Sequence, residues 1–269
     1  MKKTLLLLVA PWLIVAETNN IEVALKALSM KMDYEEYDTS GAILDSERSS
    51  YFGNIDGLGV DVAYRYANGL LGGDTSKVFV RFERHKGKSD YTGALLGSGL
   101  PYGSHQSQSE NIINETEMGI SESRSFGAWS ITSKVFGGYR NWERLLTASQ
   151  LETYSWWFWG AGIGGAYDFG NLRIGAETYF KRARKPEMAI DMPGRIVDTF
   201  LLGKTASYGL SLPITYRLGN QLSILGGVEY EYLKIADSNS KTGIDGNTYY
   251  EPRSDSSYNK LYLGLGYRF

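Results

Sequence analysis

The chain has no cysteine, two histidines and six prolines in 269 residues. Without cysteine there is no disulfide framework, no lipid-modified thiol and no thiol nucleophile, so an exported product must be held together by its fold alone. With two histidines, imidazole chemistry is confined to His85 and His105. Scarce proline beside 32 glycines and 20 tyrosines suits many strands joined by turns, not helices. Long apolar runs are missing too: past residue 16 nothing approaches the roughly 18 residues of a spanning helix, so a helical membrane protein is excluded. The formal charge of −2 shows no basic surplus, and nothing points to a nucleic-acid partner.

The N-terminus, "MKKTLLLLVAPWLIVAETNN", places Lys2 and Lys3 before an apolar stretch from Leu5 to Val15, with Ala16 preceding a polar segment. That is the plan of a secretory signal, and it predicts cleavage after Ala16. Residues 1–16 are then a signal peptide and 17–269 a single exported domain.

What fills the remainder is alternation. Leu28, Met30, Met32 and Tyr34 alternate with Ser29, Lys31, Asp33 and Glu35; Leu58, Val60, Val62, Tyr64 and Tyr66 alternate with Gly59, Asp61, Ala63 and Arg65; Val78, Val80 and Phe82 alternate with Phe79, Arg81 and Glu83. The period of two recurs over 157–169, 172–180, 208–218, 222–232 and 261–269, and more weakly over 113–124 and 128–142. About ten strands follow. Their connections alternate in length: short at 67–76, 125–127, 168–171 and 218–221, long and polar at 39–50, 89–112, 143–152, 183–204 and 237–257. Short turns on one side, long loops on the other and an even strand count predict an all-β, up-and-down antiparallel transmembrane barrel. The apolar parity supports this through its aromatic ends, with Tyr64 and Tyr66 at one level, Trp157 and Trp159 at the other, Tyr208 and Tyr216 bracketing one strand, and Tyr230 and Tyr232 closing another. Two aromatic belts around an apolar band suit a membrane with two interfaces.

The last segment, "KLYLGLGYRF", keeps Leu261, Leu263, Leu265, Tyr267 and Phe269 on one parity. It resembles the C-terminal assembly signal of Gram-negative outer-membrane barrels, in which a strand of alternating apolar residues closes on an aromatic. The resemblance implies the outer membrane of a Gram-negative bacterium as the location. As partners it implies the barrel-assembly machinery, membrane lipids and lipopolysaccharide, and an extracellular ligand bound by the loops. Deleting Phe269 is therefore expected to lower the yield of folded protein in the outer membrane; an unchanged amount on a blot of membrane fractions would refute the signal. In size the chain resembles the omptin proteases and Opc-type adhesins, and in style the OmpA-like and opacity-type surface proteins.

Several motifs invite chemistry. Gly160, Gly162 and Gly165 satisfy G-x-G-x-x-G, but "AYDFGNLRIG" follows, a turn and a strand where a dinucleotide site needs a helix; no cofactor is expected. His105 and Ser107 form an H-x-S pair resembling that of outer-membrane phospholipase A and lipid A deacylases, yet the flanks "PYGSHQSQSEN" predict a loop. An omptin-like protease needs acidic pairs and an Asp–His couple at the barrel mouth, and the sequence has neither D-x-D nor D-x-H. The loop "DSNSKTG" places Lys241 where a calcium ligand belongs, so no metal is expected.

The polar parity supplies Asp61, Arg65, Arg81, Glu83, Arg173, Glu177, Arg217, Glu229, Glu231 and Arg268, and with them Lys31, Asp33 and Glu35 of the first strand. Opposite charges sharing a lumen predict a plug of ion pairs. The arginines at 65, 173, 217 and 268 lie at periplasmic ends, which predicts a cationic lower mouth under an acidic middle of Glu83, Glu177, Glu229 and Glu231. Three functions stay open: a monomeric structural or adhesive surface protein without enzymatic activity, a narrow pore, and a surface hydrolase.

Overall fold

The computed structural model describes residues 20–49, 54–67, 69–70, 72–94 and 101–269. The segment read as a signal peptide, 1–16, lies outside the described residues. Fourteen strands are present: β1 (Ile21–Tyr37), β2 (Ile43–Arg48), β3 (Ile55–Tyr66), β4 (Thr75–Gly93), β5 (His105–Phe126), β6 (Trp129–Thr147), β7 (Gln150–Phe169), β8 (Leu172–Met192), β9 (Ile196–Leu201), β10 (Ala206–Arg217), β11 (Leu222–Ile235), β12 (Lys241–Thr242), β13 (Thr248–Tyr249) and β14 (Arg253–Arg268). They make ten staves. β2 and β3 follow one another down a single stave between β1 and β4, and β9 and β10 do the same beside β8. β1 pairs with β14 antiparallel from Glu22↔Arg268 to Tyr37↔Arg253, which closes the barrel and leaves its wall without a free edge. The Phe269 amide donates to the Ile21 carbonyl at 3.0 Å, the last rung of that closure.

The periplasmic turns are tight where expected. Gly127 and Gly170 adopt φ of 65° and 66°, a left-handed backbone that glycine tolerates without a Cβ clash. The outer connections differ from the expectation. β4 runs on to Gly93 and β5 begins at His105, while β6 and β7 meet across residues 148–149, so most of the predicted long loops at 89–112 and 143–152 is strand. About 9–11 residues of a tilted strand suffice to cross the hydrocarbon. β5, with 22 residues, therefore extends about as far beyond the membrane as within it.

That extension explains a change of polarity along each strand. Within the membrane band, apolar side chains point out and charges point in: Leu25 and Leu58 face outward while Lys26 is buried. Beyond the band both surfaces meet water, and the usual rule returns. Met30, Met32 and Tyr34 point inward and are buried, and Lys31, Asp33 and Glu35 are on the outer surface. This corrects the inward placement of those three charges, since side-chain direction continues unbroken while the solvent outside the wall changes from lipid to water. On β4 the same switch runs from Val78, Val80 and Phe82 to Arg84, Lys86 and Lys88 on the outward face.

One irregularity is needed to keep β8 in step. Its register against β7 shifts between Ser155 and Trp157, and Lys185 has φ of 49°, the one non-glycine among the described residues at positive φ. The extra residue of this bulge turns Met188, Ile190 and Met192 inward after Tyr179 and Lys181 have already faced inward. The outer lumen thus fills with Met30, Met32, Trp142, Tyr154, Trp156, Phe158, Met188 and Phe200.

Candidate functional site

The interior has three tiers. At the periplasmic mouth, Glu22 on β1 accepts from Lys77 Nζ at 2.5 Å and from Arg268 Nη2 at 2.9 Å. Asp168 on β7 likewise holds two cations, Arg173 at 2.5 Å and Arg217 at 2.8 Å. Arg65 on β3 donates to the Thr75 hydroxyl at 3.5 Å. These side chains surround a cavity of about 510 Å3.

Above it lies the ion-pair tier. Arg81 donates to Asp61 at 3.3 Å, and Lys134 approaches Glu177 at 2.6 Å. Lys26 bridges Asp61 and Glu83, at 3.2 Å to each. Further contacts reach across the lumen between strands at least three staves apart, among them Arg140 to Glu231 at 2.7 Å, Lys181 to Glu115 at 2.5 Å, and Lys260 to Glu83 at 3.5 Å. Lys260 also meets Glu229 at 3.2 Å, and the Tyr179 hydroxyl donates to the same carboxylate at 2.9 Å. Burial of so many charges is tolerable only because each carboxylate has a cation and most have a second donor. A hollow of about 340 Å3 persists among them and meets the lower cavity around Asp61, Arg81 and Glu177. The middle tier is therefore mixed in sign, correcting the expected acidic layer: lysines 26, 134, 181 and 260 interleave with its glutamates.

The outer tier is an apolar core with one polar node. Arg144 on β6 is fully buried; its Nε donates to Glu47 at 2.6 Å and its Nη1 to Glu36 at 2.8 Å and Glu152 at 2.9 Å. Its guanidinium lies 4.4 Å from the centre of the Tyr34 ring. Tyr34 donates to Glu36 at 2.6 Å, Tyr154 donates to Glu251, and Trp142 Nε1 donates to Asn111 at 2.7 Å. Carboxylates outnumber cations here, and it shows. Burial, and after it the charge of Glu36, raises the Asp45 carboxyl to about 7. Glu251, in the connection before β14, is pushed well up by burial and by Glu36 and Glu152.

Of the thirteen charges read from the polar parity, all but Lys31, Asp33 and Glu35 line the lumen, in two groups. Arg65, Arg173, Arg217 and Arg268 meet at the mouth, whereas Asp61, Arg81, Glu83, Glu177, Glu229 and Glu231 belong to the middle tier. The aromatics Tyr64, Tyr66, Trp157, Trp159, Tyr208, Tyr216, Tyr230 and Tyr232 face outward, as do Leu261, Leu263, Leu265, Tyr267 and Phe269. Gly160, Gly162 and Gly164 on β7 share the inward parity and are covered by neighbouring strands: Phe136 and Lys134 of β6 and Glu177 of β8 lie over them. His105 and Ser107 are in strand β5, not a loop, and share the inward parity, with His105 6.1 Å from the Tyr91 ring. His85 is buried, and its nearest carboxylate oxygen is that of Glu83 at 3.6 Å. Neither histidine has an aspartate partner among the described residues, and no cluster there could hold a metal ion.

The sequence reading missed Lys26, Glu115, Glu117, Lys260 and the whole Arg144 node. Parity could have found them. Lys260 continues the series Tyr262, Gly264, Gly266 and Arg268, and Arg144 continues Lys134 and Arg140 past the point where a loop was expected to begin.

No protein-family model and no curated protein sequence matches this chain. Among solved structures, the outer membrane protease OmpT from Escherichia coli superposes with a TM-score of 0.60 at 12% identity, over 94% of this chain and 98% of that one. The translocator domain of the autotransporter NalP from Neisseria meningitidis gives 0.45 at 11% identity, covering 93% and 88%. OprG from Pseudomonas aeruginosa gives 0.40 at 10%, covering 94% and 97%. The chain has the fold of a ten-stranded outer-membrane β-barrel.

Proposed function

We propose that this barrel works at the cell surface by contact, as a non-conducting, non-enzymatic, adhesin-like protein of the outer membrane. The observation that carries the reading is the filling of the outer lumen: Met32, Tyr34, Trp142 and Tyr154 are at 0% exposure in a layer of buried apolar side chains above the ion pairs. A solute would have to displace aromatic side chains held by their own hydrogen bonds. Against a hydrolase stand the two histidines, one buried beside a glutamate and one without a carboxylate partner; the likeness to a protease is one of fold, and fold does not carry activity. Contact is favoured by the apolar groups displayed beyond the membrane. Val197 and Leu201 on β9 and Ile244 between β12 and β13 are 58–79% exposed, and the Ile244 amide donates to the Arg195 carbonyl at 2.7 Å, so the two hairpins lie side by side. Exposed apolar groups of this kind mark interaction sites. Outward Arg84, Lys86 and Lys88 would meet lipopolysaccharide phosphates above the membrane band. The proposal includes export with removal of residues 1–16 and a monomeric state, since the closed wall leaves no strand edge for a second copy.

The test is threefold on one preparation. Purified protein in a planar bilayer is expected to show no unit conductance, and peptides and phospholipids are expected to survive incubation with it. Cells displaying it are expected to bind a host-matrix surface, and to lose most of that binding when Val197, Leu201 and Ile244 are all replaced by Ser. Steady channel currents or substrate turnover would overturn the reading.

A further inference from the structure

The periplasmic mouth has more positive charge than the barrel needs. Five cationic side chains converge there, Arg65, Lys77, Arg173, Arg217 and Arg268, against two carboxylates, Glu22 and Asp168. Each carboxylate is already shared by two cations. Arg65 has no carboxylate within 4.0 Å among the described residues; Glu22 attracts it from further away, and Arg268, Arg173 and Arg217 repel it. Charges that serve only to plug a lumen come in balanced sets, as in the tier above. Here the local excess is three positive charges around a cavity of about 510 Å3, a volume in the range of small-molecule sites. Hydroxyls of Ser121, Ser123 and Thr215 line the same cavity and offer further donors. The opening is on the turn side, because Gly219, Asn220 and Gln221 of the β10–β11 turn form part of its rim. Upward it meets the hollow of the ion-pair tier around Asp61, Arg81 and Glu177, and the buried Trp156 and Phe158 lie above that tier, so we call the cavity a cup.

We propose that this cup binds a phosphate-bearing anion carrying two or more negative charges, presented from the periplasmic side. Guanidinium groups present forked donors that match the oxygens of phosphate, and an anion among them would supply the negative charge that the two carboxylates do not. The low dielectric of the wall and lipid focuses the field of the cations into the cavity. The site is at the opposite end of the molecule from the surface proposed for adhesion, and it stands whether or not that reading does. The phosphate could belong to a soluble periplasmic metabolite or to a lipid headgroup of the inner leaflet, and the chemistry of recognition is the same.

The experiment uses the full chain folded in phosphatidylcholine nanodiscs, with inorganic pyrophosphate as the probe in calorimetry at low salt. Saturable binding to one site per barrel is expected, weakening as salt rises. Arg65→Gln is expected to weaken it about tenfold, the cost of one charge-assisted contact of about 1.4 kcal/mol. Glu22→Gln, which frees Lys77 and Arg268, is expected to tighten it severalfold, so the two variants move in opposite directions. Lys31→Gln on the outer surface should leave affinity unchanged. Repeating the titration in nanodiscs containing phosphatidylglycerol separates the sources: competition assigns the site to a headgroup, and unchanged affinity assigns it to a soluble phosphate. Absence of saturable binding, or equal affinity in the wild type, Arg65→Gln and Glu22→Gln proteins, overturns the proposal.

Discussion

Arg144→Met is expected to destabilise the outer half of the barrel by about 3–5 kcal/mol, the scale for removing one partner of a buried ion pair. The methionine fills much of the volume, so the loss is electrostatic: Glu36, Glu47 and Glu152 would be left facing one another with no cation. Trp142, whose ring stacks on Tyr154 at 4.9 Å inside this node, provides a fluorescence readout under urea. The lower half, held by its own pairs, should keep its strands, so the variant should lose its outer tier first in a two-step transition. A single transition at the wild-type midpoint would show that Arg144 is not what holds the acids together.

The same node fixes the sign of a pH response. Asp45 titrates near 7 in the folded protein and near the ordinary value of about 4 when unfolded. Between these values folding takes up a proton, so the contribution of this group to stability is most favourable below about pH 4 and is lost progressively as pH rises to about 7. Glu251, also raised, acts in the same direction. Protection factors of amides on β2 and on the connection before β14, which remove the base-catalysed rise of the intrinsic exchange rate, are therefore expected to be lower at pH 8 than at pH 5, with a wider gap in Arg144→Met.

Replacing Glu229 and Glu231 together with Ala is expected to lower the urea midpoint as strongly without opening a channel. Glu231 is fully buried and takes Arg140 at 2.7 Å; Glu229 takes Lys260 and Tyr179. Their removal leaves Arg140 with Glu115 alone, at 2.5 Å, and Lys260 with Glu83 alone, at 3.5 Å, and over the two buried sites together the loss is on the scale of about 3–5 kcal/mol. From the alternation alone, the same change predicts a rise in conductance, because the charges were then the only plug in view. With Trp156 and Phe158 packed above them, current should stay at baseline while stability falls. Current through the variant would mean that the aromatic layer yields once its charged floor is gone.

Strand number, side-chain direction within the membrane band on every strand but the first, and the outward aromatic belts were legible in the sequence because each depends on a period of two and on turn chemistry, both local. Arg65, Arg173 and Arg217 could be assigned to one end for the same reason, since each lies beside a short turn, and Arg268 joins them as the end of the last strand. The weak middle strands were underestimated because Glu115, Glu117 and their neighbours carry little apolar contrast, and β4 to β8 were cut short where apolar side chains stop facing out.

Only the folded barrel decided which charges meet. Arg140 and Glu231 are 91 residues apart, and Lys260 and Glu83 are 177 apart; their contact depends on stave number and stagger, which no local pattern encodes. The exchange of polarity above the membrane was equally out of reach, because Met30 and Lys31 alternate in the same way whether lipid or water lies outside. Parity determines that two faces differ. The height of a residue on the barrel decides what each face touches, and that height is set when ten strands close into one wall.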